Sequence, residues 1–233
     1  MLRPMWLFPL AASLVALVFA GALGRRFLRR RRPYLALWAI AMLMYAGASF
    51  AVVLGASNGW TAQEFRVYWL LGAALNVPFL AAGELDLLIG TRGARWAIYV
   101  ALAFVVAYAI AVVRTASVNP IALAQELPSG KEVFGDGSAA HRLPQLIAIP
   151  AYLILLGGAL WSAWRMRGHR ELRDRFWGTL LIALGSTLIA GFGSAFAALG
   201  YLLPFSIALL VGISVMFWGF LRASRPVVPV QPS

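Results

Sequence analysis

The chain has no cysteine in its 233 residues, which excludes disulfides, thiolate metal sites and cysteine nucleophiles. Histidine is nearly absent. His141 and His169 both lie in hydrophilic connections, so no apolar run carries an imidazole for haem or an intramembrane zinc ion. Charge is scarce at 12% of residues, against about 25% in an ordinary soluble domain. Of the 20 basic residues only Lys131 is lysine, and the arginine bias goes with a bacterial source. The last apolar run therefore offers no lysine for a retinal Schiff base. There is no phosphate-binding glycine loop, Asp86 has no second aspartate beside it for a protease pair, and Ser194 in "GFGSAF" has no base to activate it. These absences argue against an enzyme and against any cofactor or metal.

What is present is hydrophobicity, at 62% of the chain. A soluble fold with that balance could not cover its own core, so the expected class is an all-α, polytopic integral membrane protein. Apolar runs near 20 residues number seven: roughly 5–24, 34–54, 67–90, 96–113, 143–164, 176–199 and 201–221. The first exceeds the usual ~7–15-residue apolar core of a secretory signal. The last two part near Gly200, where a tight hairpin is expected. The net charge of +12 is gathered in short connections between runs, a topology signal rather than a nucleic-acid surface. Fifteen basic residues fall on one side and five on the other, which places the N-terminus outside and the C-terminus in the cytoplasm of a bacterial plasma membrane.

The expected organisation is a seven-helix transmembrane domain over residues 1–222, with a long external loop at 115–142, followed by a flexible cytoplasmic tail at 223–233. Within that loop, Asn119-Pro120 predicts a short helix over "IALAQEL" that Pro128 ends, with turns at "PSG" and "GDGS". A loop this long is either an outer lid or a solvated connection.

The first and fifth runs share a layout, with a proline near the outer end and arginines about fifteen positions later. The second and sixth share "AG…S…F" at Ala46–Phe50 and Ala190–Phe196. This points to a 3+1+3 parallel repeat, an arrangement used by transporters. Pro144-Gln145 and Asn76, midway along the third run, make the chain resemble the architecture of the sugar-transporting SWEET and PQ-loop proteins. The resemblance implies a substrate-facing role for Asn76. The dipeptide lies at the opposite end of its helix, however, and the seventh run has no matching asparagine, so the likeness is one of architecture.

Four residues of the third run are candidates for ligand binding or proton coupling: Asn76, Pro78, Glu84 and Asp86. Carboxylates inside a span need a reason. At ~1.5 Å per residue, Glu84 lies about 9 Å and Asp86 about 6 Å from Gly90. Each is read either as an interfacial ion-pair anchor or, chiefly for the deeper Glu84, as a buried functional carboxyl. Asn76 offers an interhelical hydrogen bond or a ligand contact, and Pro78 frees a backbone carbonyl beside it. Arg25, Arg26, Arg29, Arg30, Arg31 and Arg32 are candidate contacts for anionic lipid headgroups on the cytoplasmic side. Ser186, Ala190, Ser194 and Ala198 recur every four residues as an expected helix-packing face. Two functions are left open: a small-molecule or lipid-like ligand binder or transporter, and a non-transporting sensor or accessory subunit using the external loop and basic face.

Overall fold

The computed structural model describes residues 5–225; Arg3 and the tail beyond residue 225 lie outside the described residues. It is 85% helical, with no strand among the described residues. Seven helices are long and apolar enough to cross a membrane: α1 (Leu7–Arg30), α2 (Pro33–Asn58), α3 (Ala62–Ile89), α4 (Arg92–Thr115), α5 (Ala139–Met166), α6 (Arg173–Ala198) and α7 (Leu202–Ala223). This is compatible with a multi-pass membrane protein. The helices alternate in direction, so one end of the bundle carries the 116–138 connection (the loop face). The other collects most arginines (the arginine face).

Most helices run a few residues beyond their apolar run, because local chemistry sets their ends. Arginines suit the C-terminal turn of α1, where they oppose the negative end of the dipole, and α1 stops at Arg31 in the left-handed region. α2 opens on Pro33, whose missing N–H is no loss in a first turn. Thr61 and Glu64 cap α3 reciprocally, at 3.2 and 2.9 Å. Gly200, at φ 71°, makes the expected turn between α6 and α7.

Helices α1–α2–α3 and α5–α6–α7 pack in chain order into a ring of six. α3 against α5 and α7 against α1 close it, while α4 lies outside against α3. Side chains of α4 such as Val100 and Phe104 accordingly point away from the protein. Buried hydrogen bonds tie the ring: Ser13 Oγ donates to the Ala46 carbonyl at 2.9 Å and Tyr45 OH to the Leu209 carbonyl at 2.8 Å. α6 and α7 meet through glycines. A Cβ on Gly185 would lie 2.5 Å from the Gly212 carbonyl oxygen, and one on Gly178 2.5 Å from that of Gly219. This differs from the expected packing face on α6. Ser186 is buried, but Ala190 is only partly buried, Ser194 and Ala198 are exposed, and all four border a cavity.

The 116–138 connection is folded onto the bundle. Leu123, Leu127, Val133 and Phe134 are buried, and Trp60 Nε1 donates to the Glu126 carbonyl at 3.0 Å; just beyond the connection, Trp69 Nε1 donates to the Ala140 carbonyl at the start of α5 at 2.8 Å. The expected helix over "IALAQEL" is reduced to a single turn at Ala122–Ala124. So short a helix has too few hydrogen bonds to offset its nucleation, and burial of Leu127 holds the strand of chain elsewhere. "PSG" instead starts the helix Gly130–Phe134, with Ser129 Oγ accepting the Glu132 N–H at 3.3 Å.

Candidate functional site

Three of the ring helices depart from regular α geometry, all in the half nearer the loop face. α3 is π-helical over Trp69–Leu75, α5 over Pro144–Ala148 and α6 over Leu188–Gly193. Two have a local cause in sequence. Pro78 and Pro150 follow their π segments within three residues, and a proline within a helix removes a donor and crowds the preceding turn. The third contains Gly191 and Gly193, where backbone freedom replaces that push. A π turn leaves carbonyls without their usual partners, and such turns occur often at functional sites.

All three π segments border the same space, an outer chamber of two adjoining lobes of about 400 and 420 Å³. Asn76 lines both lobes. It is buried, and its Nδ2 donates to the Ala41 carbonyl of α2 at 2.6 Å. Pro78, two residues on, is buried outside the residues that line the lobes. Gln145 and Ser194 line both lobes as well. At the loop end Lys131 and His141 complete the lining. Lys131 Nζ pairs with Asp136 at 3.1 Å, while His141 Nδ1 is buried without a partner among the described residues. The lysine hydrogen bond and charge hold the Asp136 carboxyl below its ordinary range. His141 was placed by sequence in a hydrophilic connection. The available signal was Ser138, which caps the first turn of α5 and so puts His141 on a span.

Glu84 and Asp86 of α3 separate completely. Asp86 accepts a hydrogen bond from Arg95 Nε of α4 at 2.5 Å and from the Tyr34 N–H at the start of α2 at 3.1 Å. It therefore does two structural jobs, pairing an arginine and satisfying an open N–H of α2. Glu84 is 5% exposed and has no hydrogen-bond or ion-pair partner among the described residues. Its side chain lies against Gly158 of α5, where an added Cβ would sit 2.6 Å from Glu84 Cγ.

Glu84 borders an inner chamber of about 500 Å³ that is lined by Arg26, Arg30, Arg175 and Arg225 of the arginine face. The predicted lipid-headgroup cluster is thus divided. Arg26 and Arg30 line this chamber, whereas Arg25, Arg29, Arg31 and Arg32 do not. Arg26 stacks over the Phe220 ring at 4.5 Å and donates to Ser224 Oγ. Ser162, Thr179 and Arg175, contributed by α5 and α6, line it too and were not found by sequence reasoning. In so apolar a chain, nothing local marks which face of a helix turns inward.

Four side chains, Met42, Leu80, Leu155 and Met216, line both the inner chamber and the deeper outer lobe. They are 1%, 7%, 4% and 3% exposed, and they form an apolar partition between the two spaces. Compared with protein-family models, curated proteins and solved structures, the chain has no match.

Proposed function

We propose that this protein binds a small or lipid-like ligand between its ring helices and moves it across a membrane, with no catalytic step. In this reading the loop face is external, the arginine face cytoplasmic and the membrane that of a bacterial cell. The observation that carries it is the shared lining of the two chambers by Met42, Leu80, Leu155 and Met216. Only one layer of side chains divides a chamber facing one side from a chamber facing the other. Two of the four are methionines, unbranched and adaptable, and the π segments of α3, α5 and α6 are natural bending points. The ring order, with α4 outside it, is also what a 3+1+3 repeat requires. The 15-to-5 asymmetry of basic residues supports the orientation.

The folded 116–138 connection favours one other reading, a sensor or accessory subunit whose outer face meets a partner. That role needs no passage through the partition. The cysteine-free chain allows a direct test in sidedness-controlled vesicles with a membrane-impermeant thiol reagent. Ser194→Cys should react from the loop face, Ser162→Cys from the arginine face, and Met216→Cys from both. If both flanking thiols react while Met216→Cys is modified from neither side, the chambers are dead ends, and the sensor reading replaces transport.

A further inference from the structure

The inner chamber has an uneven charge inventory. Four guanidinium groups and one carboxylate line it. Two of the arginines are already engaged. Arg225 Nη1 lies 3.7 Å from Asp174, which also accepts from Arg222 Nε at 3.0 Å. Arg26 is held by the Phe220 ring and by Ser224 Oγ. Arg30 and Arg175 are exposed and have no protein partner among the described residues. They come from different helices, α1 and α6, yet border one opening.

Below that opening the walls are mainly apolar, with Leu23, Leu155, Ile182 and Met216 leading down to the partition. Guanidinium groups present a planar fork of donors that matches a phosphate or carboxylate. A cation entering here would meet four arginines first. A small hydrophilic anion would leave the apolar walls unsatisfied. A volume of about 500 Å³ falls in the range of small-ligand sites, about 300–1,000 Å³.

We infer that the inner chamber is a binding site for an anionic amphiphile, its phosphate or carboxylate head held between Arg30 and Arg175 and its apolar chain lying toward Leu155 and Met216. This deepens the ligand-binding reading above and rests on that chamber being open to the arginine face. Glu84 sets the sign of the discrimination. Its ionised form repels an anionic head and attracts a cationic one, so its removal separates the two ligand classes.

The test uses the full chain carrying Ser162→Cys in a neutral maltoside detergent, with the rate of thiol modification as readout. Dodecyl phosphate is the probe; inorganic phosphate and dodecyltrimethylammonium are the comparison arms. Dodecyl phosphate is expected to slow modification in a saturable way. Arg30→Gln or Arg175→Gln should raise the concentration for half-protection roughly tenfold, the loss of one charge-assisted contact. Glu84→Gln should lower that concentration. Both arginines are exposed, so their glutamine variants are expected to keep the fold, and gel filtration verifies this. Equal protection by inorganic phosphate would overturn the amphiphile assignment in favour of a free anion. Protection by the trimethylammonium compound, or weaker protection after Glu84→Gln, would overturn the anion assignment. If the Ser162→Cys thiol reacts freely but no arm protects it, this inference fails while the open chamber stands. If the thiol never reacts, the reading of the chamber itself fails.

Discussion

Asp86 and Glu84, two residues apart on one helix, give the sharpest quantitative test of the structure. Replacing Asp86 by alanine removes an acceptor for the Tyr34 N–H and the partner of Arg95. Loss of a helix cap costs about 1 kcal/mol. Breaking a fully buried pair costs about 3–5 kcal/mol, but the Arg95 side chain is 35% exposed and can turn into water, which discounts the charge contribution by about half. The sum is roughly 3 kcal/mol, dominated by the pair rather than the cap. At about 2–4 °C per kcal/mol for a chain of this size, thermal unfolding in neutral detergent should fall by roughly 6–12 °C. Glu84→Gln removes a carboxyl that has no partner among the described residues and keeps the shape that packs on Gly158. Its midpoint should therefore hold or rise. Arg95→Gln should reproduce part of the Asp86→Ala loss, and the double variant should fall short of the sum, because both act on one pair. Equal shifts for Asp86→Ala and Glu84→Gln would refute the division of labour between the two acids.

Two further outcomes follow from packing and charge. Gly185→Ala places a methyl group 2.5 Å from the Gly212 carbonyl oxygen and 2.8 Å from the Met216 backbone nitrogen, so backbone must move. A cost of about 1–3 kcal/mol is expected, read as a lowered midpoint, whereas Gly21→Ala meets nothing within 4 Å and should be neutral or slightly stabilising by helix propensity; equal effects would contradict the close approach of α6 and α7. On the loop face, the hydrogen bond and charge of Lys131 depress the Asp136 carboxyl. The stabilisation from that pair is present above the ordinary aspartate range and is lost as pH falls through the depressed value. Lys131→Gln should move the Asp136 titration upward in a carbon-detected NMR series, and an unmoved titration would exclude the pair in solution.

The helices were legible in the sequence because lipid leaves the backbone few options. A run of some 20 apolar residues must close its own hydrogen bonds as a helix, and arginines, Gly90, Thr61 and Gly200 mark where helices begin or end. The polar spot on α3 was legible for the same reason, since Asn76, Glu84 and Asp86 stand out in an apolar run. What faces inward was not legible. In α2, Met42 and Val52 are buried while Leu43 and Phe50 are exposed, yet these residues are chemically alike. Between lipid and protein interior there is no polarity difference to leave a periodic stripe. The small-residue row on α6 misled on this account: spacing alone cannot distinguish a packing face from a cavity wall. Glu84 and Asp86 were nearly equivalent one-dimensionally, two acids flanking the same stripe. Only the placement of α2 and α4 on one side of α3, and of α5 on the other, decided that Asp86 meets an N–H and an arginine while Glu84 borders a chamber. A helix supplies both acids at fixed angles, but their chemistry belongs to whichever neighbours the packing brings to each angle.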